Sequence, residues 1–144
     1  MNREIKFRGR VIESGGRWAY GSLITNSAGT SYIVNSNIAP SKMGDRYEEV
    51  VNVGQYTGLK DCTGKEIYEG DIITVNGKYP KLVKYIDDWA SYCLANISDL
   101  DSDGETRYWQ QVSPCWWTDF EREIKVIGNQ FDNPRLLKTE DNKR

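Results

Sequence analysis

Short strand-like runs, separated by turn-forming residues, recur along the whole chain, and the first two alternate cleanly between apolar and polar residues. They are found at residues 4–12, 17–24, 30–34, 47–56, 72–75, 81–86, 92–97, 108–112 and 124–127. Alternation gives a strand two distinct faces, whereas a helix needs apolar residues three and four positions apart. Helical spacing is almost absent, and we expect at most one helical turn, at Thr118–Glu123. The sequence therefore predicts an all-β fold.

The strand pattern divides into two parts and a tail. Residues 1–57 are predicted to form an antiparallel meander, and residues 58–137 a small, partly open barrel of the SH3-like kind. Residues 138–144 are charged and predicted to form a flexible tail. Because hydrophobic residues make up only 38% of the chain, much of the core must come from its five Trp and nine Tyr.

The first run carries a basic row on one face. Lys6, Arg8 and Arg10 alternate with Phe7, Gly9 and Val11. Such a row could contact a phosphate backbone, but acidic residues flank it and no aromatic residue is interleaved on that face. We therefore interpret the row as the solvated face of a sheet.

The stretch Gln55–Ile73 is dense in turn residues. Gly58, Gly64 and Gly70 are placed where a strand must turn sharply, with Gly64 the expected left-handed residue. Asp71 is expected to accept hydrogen bonds from nearby backbone amides, and Ile67–Asp71 to form a single turn or a bend. We favour a structural role for this stretch over the alternative, a ligand-contact loop.

This stretch resembles the signature of the YopX family of phage and prophage proteins. The matching segments are Gln55–Asp61 and Gly64–Ile72, together with Arg3–Arg8 at the start of the chain and Val126–Asn129, Asn133-Pro134 and Leu136-Leu137 near its end. The resemblance implies a small, mostly β protein, encoded by a phage or prophage and present in the bacterial cytoplasm. It brings no established activity and no catalytic residues.

The composition limits the reactions, metal sites and ligands that the chain could support. The chain has no His, which removes Ser-His-Asp and Cys-His catalysis and His-ligated zinc. Its three Cys lack metal-ligand spacing, and no signal peptide or membrane-spanning run is present, so we expect a soluble protein with free thiols in a reducing compartment. A net charge of −2 gives no overall attraction to nucleic acid. No cofactor is expected, and a small-molecule ligand is disfavoured.

The segment from Trp89 to Phe120 is rich in aromatic residues and is the part of the chain that the resemblance explains least. Its candidate binding residues are Trp89, Tyr92, Trp109, Trp116 and Trp117. Trp and Tyr are favoured at protein interfaces and also stack on bases. The alternative is a ring-rich core, which we expect to account for about half of them.

Two other sets of residues suggest alternative sites. Lys78, Lys81, Lys84 and Lys125 could line a surface that binds nucleic acid. Asp99, Asp101 and Asp103 have the spacing of the first half of an EF-hand calcium loop. That loop would have Gln110 at its twelfth position and Thr106 at its eighth, so we favour an acidic hairpin loop without calcium.

From these observations we rank three hypotheses about the function of the chain. The first is an interaction module without enzymatic activity, which binds a protein partner or further copies of itself. The second is a small β barrel that binds nucleic acid. The third is a hydrolase that uses carboxylates or a metal, for which Asp87-Asp88 and the loop from Asp99 to Glu105 are the only dense acidic clusters.

Overall fold

The computed structural model describes residues 4–12, 16–35, 47–111, 114–119 and 121–137. Within this part of the chain it has nine strands, short 3₁₀ turns and no α-helix. The strands are β1 (Phe7–Val11), β2 (Trp18–Thr25), β3 (Ser31–Asn35), β4 (Tyr47–Lys60), β5 (Glu66–Tyr68), β6 (Asp71–Val75), β7 (Lys78–Ile86), β8 (Ser91–Asn96) and β9 (Ile124–Asn129). Every strand pair whose register is known within the described residues is antiparallel. The predicted all-β fold is confirmed.

The chain divides into two compact units, Met1–Gly58 and Leu59–Arg144. In the first unit β1, β2, β3 and β4 pair in sequence, and β1 also pairs with β4. This extra pairing closes the predicted meander into a ring of four strands. The pairing of β1 with β4 covers part of the edge that each of these two strands would otherwise expose.

β4 has a bulge where it pairs with β1 to close the ring. Arg8 pairs with Gly54 and Arg10 with Val51, so two residues of β4 lie opposite one residue of β1. Asn52 sits in this bulge with a φ of 57°. The inner face of the ring packs a small core, whose buried members are Val11, Ala19, Ile33 and Val50.

The second unit holds an open sheet in the order β8-β7-β6-β9. Neighbouring residues of β6 point to opposite faces, so Ile72 and Ile73 belong to different core clusters. The cluster of Ile73 also contains Ile67, Val83, Leu94, Ile124 and Val126. The cluster of Ile72 contains Leu82 and Ile97, covered by Leu100, Trp109, Leu136 and Leu137. The SH3-like form of this unit stays a prediction.

Several local predictions need correction. Of the turn or bend predicted at Ile67–Asp71, the structure has a turn at Glu69 and Gly70, whereas Glu66–Tyr68 form strand β5, which pairs with β4. β4 continues past Gly58 to Lys60, although Gly58 has a φ of 91°. The expected strand at 108–112 is reduced, in its described part, to a single bridge between Gln110 and Leu94. The expected helical turn at Thr118–Glu123 includes Phe120; in its described part Arg122 N donates to the Asp119 carbonyl at 2.9 Å, and a 3₁₀ turn precedes it at Pro114–Trp116. Phe120, Val112 and the tail 138–144 lie outside the described residues.

One five-residue turn occurs three times in the described part of the chain, beginning at Asn26, Asp61 and Asp101. In each copy the first residue bonds through its backbone N–H to the carbonyl of the fifth residue, and its side chain Oδ1 accepts from the amides of the third and fifth. The fourth residue is always a glycine with positive φ. The spacing Asn/Asp-x-x-Gly is therefore the sequence signal of this turn.

Gly128 occupies a site with no room for a side chain. A Cβ there would lie 2.5 Å from Asn133 Oδ1, and Asn133 Oδ1 accepts the backbone N–H of Asn129 at 3.1 Å. We expect Gly128→Ala to lower the free energy of unfolding by about 1–3 kcal/mol, because the Asn133 side chain must move. Urea denaturation measures the change. The cost should fall when Asn133→Ala is introduced first, and an unchanged cost would show that this contact is not its source.

Candidate functional site

The Asp61 carboxylate fastens the turn between β4 and β5 to strand β9. Its Oδ1 accepts from Thr63 N at 2.8 Å, Thr63 Oγ1 at 2.7 Å and Lys65 N at 2.9 Å. Its Oδ2 accepts from Val126 N at 2.9 Å, across 65 residues of sequence. Cys62 N also donates to the Ile124 carbonyl at 2.8 Å. The turn thus covers backbone groups on the outer edge of β9.

The electrostatics of Asp61 fit this structural role. Burial acts to raise the pKa of the Asp61 carboxyl, but the hydrogen bonds from Val126, Thr63 and Lys65 outweigh burial and hold the pKa below its usual value. Asp71 is likewise buried, and its Oδ2 accepts from Tyr68 N at 2.7 Å, as predicted. Both aspartates of the stretch Gln55–Ile73 therefore hold backbone amides in place.

The tip of the β7–β8 hairpin carries exposed aromatic residues. The Tyr85 and Tyr92 side chains lie directly opposite each other, with ring centroids 5.1 Å apart in an edge-to-face arrangement. Trp89 follows in the 3₁₀ turn Asp87–Trp89 and is 44% exposed, while Tyr85 is 37% exposed. We call Tyr85, Trp89 and Tyr92 the aromatic tip. Tyr85 and Trp89 are exposed on this hairpin, while Tyr92 is half-buried and also packs against the Ile73 cluster.

The other three predicted aromatic residues are half-buried. Trp116 and Trp117 pack edge-to-face with centroids 5.3 Å apart and cover the Ile73 cluster, which Tyr92 also covers. Trp109 covers the Ile72 cluster on the opposite face of the sheet. The structure therefore does not bring the five predicted residues onto one surface, and it adds Tyr85, which the sequence reasoning missed although it alternates with Val83 on β7.

The four predicted lysines do not form one row. Lys78 pairs with Val75 and Lys125 with Thr74, and these neighbours on β6 point to opposite faces. Lys81 donates to Asn96 Oδ1 at 2.6 Å, and burial lowers its pKa while Asp99 acts to raise it. Lys84 instead forms an ion pair with Glu105 at 2.9 Å. Splitting the lysines between two faces weakens the case for a nucleic-acid surface here.

The acidic loop is shaped by the repeated turn. Asp101 Oδ1 accepts from Asp103 N at 2.8 Å and Glu105 N at 3.0 Å, so this oxygen is directed at its own backbone. Within the described residues, no group of three or more Asp, Glu or Cys is arranged to hold a metal ion. The spacing of Asp99, Asp101 and Asp103 therefore has a structural explanation in the turn.

The basic row of β1 is not the solvated face that the sequence suggested. Arg8 is only 5% exposed. The guanidinium carbons of Arg8 and Arg10 lie 4.7 Å and 4.8 Å from the centroid of the Trp18 ring, and Lys6 Nζ lies 5.5 Å from that of Tyr56. The prediction was wrong because the rings come from β2 and β4, which the first run alone could not reveal.

The chain is an all-β protein with two sheets of short strands and two compact units. Asp61 joins the turn between β4 and β5 to strand β9. The sequence model of the YopX family, described as YopX protein, matches residues 6–138. The chain therefore belongs to the YopX family. No curated protein matches the chain. Among the residues that the structure describes, no helix is long and apolar enough to cross a membrane.

Proposed function

We propose that the chain is a phage- or prophage-encoded protein-binding module of the bacterial cytoplasm, acting without catalysis, and that the aromatic tip is its contact surface. The observation that carries this proposal is the exposure of Trp89 and Tyr85 on one short hairpin. Exposed Trp and Tyr are the residues that most often anchor protein interfaces. The adjacent carboxylates of Asp87 and Asp88 would suit a partner with an apolar pocket rimmed by basic residues.

The two aspartates of the stretch Gln55–Ile73 support a role without catalysis. Asp61 and Asp71 accept hydrogen bonds from backbone amides, which is a structural use of a carboxylate. A general acid or base has to reach a substrate, and these two groups are buried. The partner is either a host protein or a second copy of the chain, and light scattering over a range of concentrations separates these two cases.

Trp89→Ala should weaken partner binding by about 30-fold or more, because a central aromatic anchor commonly contributes at least about 2 kcal/mol. The free energy of unfolding should change by less than about 1 kcal/mol, since the ring is exposed. The partner is first isolated by affinity purification from host cells, and its affinity for each variant is then measured by calorimetry. Tyr108→Ala, which removes a ring that is 61% exposed elsewhere in the same unit, is the matched control.

A further inference from the structure

The turn between β6 and β7 lies at the other end of β7 from the aromatic tip and contains an Asn-Gly pair. Asn76 is the only Asn in the sequence that a glycine follows. The pair forms a two-residue hairpin turn, with a φ of 53° at Asn76 and 77° at Gly77. Gly77 is exposed, and a Cβ there would meet no atom within 4 Å. The space around Gly77 is therefore open to water.

The Asn76 side chain is held by a distant part of the chain. Its Oδ1 accepts from Glu123 N at 2.8 Å, and its backbone N donates to the Glu123 carbonyl at 2.8 Å. These two bonds join the turn to the segment just before β9. In the part of the chain that the structure describes, neither Asn76 Nδ2 nor Gly77 N donates a hydrogen bond. The Asn76 carboxamide thus has a donor on its oxygen, while its amino group and the next backbone nitrogen are both unbonded.

This arrangement suits loss of the side-chain amino group of Asn76. Gly77 N gives its proton to a solvent base and bonds to Asn76 Cγ, while Nδ2 takes up a proton and leaves as ammonia. The product is a five-membered succinimide ring. Water then opens the ring, giving aspartate when it adds at Cγ and isoaspartate when it adds at the main-chain carbonyl carbon. Glycine favours ring closure because no side chain hinders the attacking nitrogen.

We propose that Asn76 is a deamidation site of the folded chain and that the Glu123 N–H promotes the reaction. Negative charge develops on Oδ1 as Gly77 N attacks, and a backbone N–H already directed at that oxygen stabilises the charge. Asn26 offers the comparison within the chain. Its Oδ1 accepts from two backbone amides, but the residue that follows it is Ser27.

The reaction changes the turn in which it occurs. Both products carry a new negative charge beside Glu123, which is itself exposed and acidic. Isoaspartate also adds one methylene group to the main chain of a two-residue turn, so the two bonds to Glu123 cannot both keep their geometry. Deamidation should therefore loosen the β6–β7 turn from the segment before β9.

Incubation of the full chain at pH 8 and 37 °C, followed by peptide mapping with mass spectrometry, compares every Asn in one sample. Asn76 should deamidate roughly 10-fold faster than Asn26, or more, because of the glycine. Gly77→Ala should slow the reaction roughly 10-fold, since its side chain obstructs the attacking nitrogen. Glu123→Pro removes the N–H donor and should also slow the reaction roughly 10-fold. Circular dichroism checks that each variant is folded during the incubation.

Two further measurements keep the test decisive if a variant does not fold. Gly29→Ala places a side chain on another glycine of positive φ and should leave the rate at Asn76 unchanged. The unaltered chain in urea keeps the Asn-Gly pair but loses the bond from Glu123 N, so it should react no faster than the folded chain. The proposal is overturned if Asn76 reacts no faster than Asn26, if a folded Glu123→Pro variant reacts at the unaltered rate, or if unfolding in urea speeds the reaction.

Discussion

Replacing Asp61 by asparagine should lower the free energy of unfolding by about 2–3 kcal/mol. Asparagine can still accept the hydrogen bonds within the turn through its Oδ1, as Asn26 does in another copy of the same turn. It cannot accept the hydrogen bond from Val126 N, because the amide group in place of Oδ2 is a donor that would face a backbone N–H. The substitution therefore isolates the contact that joins the turn to β9, and urea denaturation measures its cost.

Asp101→Asn is the matched control for Asp61→Asn. Asp101 starts the same turn with the same Oδ1 bonds, but it is exposed, and its bonds stay within the turn. We expect this control to change the free energy of unfolding by less than about 0.5 kcal/mol. An equal cost for both substitutions would mean that the bond to Val126 adds nothing to stability.

The Asp61 contact also makes stability depend on pH. Because the folded state lowers the pKa of this carboxyl below 3.8, the charged form contributes stability above that pH. The contribution is lost as the pH falls through the depressed pKa of the folded state. Thermal unfolding between pH 3 and pH 6 should therefore show a smaller pH dependence for Asp61→Asn than for the unaltered chain. Parallel curves would contradict this account.

Gly9→Ala should lower the free energy of unfolding by about 3 kcal/mol, the upper end for an overpacked core. A Cβ at position 9 would lie 2.6 Å from both Cβ and Cγ2 of Val50, on the strand that closes the ring. Val50 is itself buried in the core of the first unit, so it has little room to move. The closure of the ring therefore depends on the absence of a side chain at this position.

Gly29→Ala separates this steric effect from the general cost of replacing a glycine. A Cβ at position 29 would meet no atom within 4 Å, but the residue has a φ of 88°. Its replacement should cost about 1–2 kcal/mol, the strain of a left-handed residue with a side chain. If Gly9→Ala destabilised the chain no more than Gly29→Ala, the contact with Val50 would not limit the ring.

Local pattern predicted most of the strands, because alternation and turn chemistry act over a few residues. Asn76 and Gly77, the strongest hairpin signal in the sequence, both have positive φ in the turn between β6 and β7. Contacts between distant parts of the chain were not predicted. Neither the bond from Val126 to Asp61 nor the stacking of Arg8 on Trp18 has a local signal, since each joins separate elements.

At the candidate site, too, the sequence predicted local features and missed contacts between distant parts of the chain. The sequence identified Trp89 and Tyr92, which lie close together in one hairpin. It grouped Trp109 with them, although the fold places Trp109 over the other face of the sheet. Period-two alternation does separate Lys81 from Lys84, which are three residues apart on one strand. Pairing between distant strands, by contrast, had to be seen in the structure.

The affinity of the purified partner for Trp89→Ala, measured beside Tyr108→Ala, tests the proposed protein-binding role most directly. We predict that Trp89→Ala weakens binding by about 30-fold or more, while the affinity of Tyr108→Ala stays within about 2-fold of that of the unaltered chain. Equal affinity of both variants and the unaltered chain for the partner would contradict it, and would remove the aromatic tip as the contact surface.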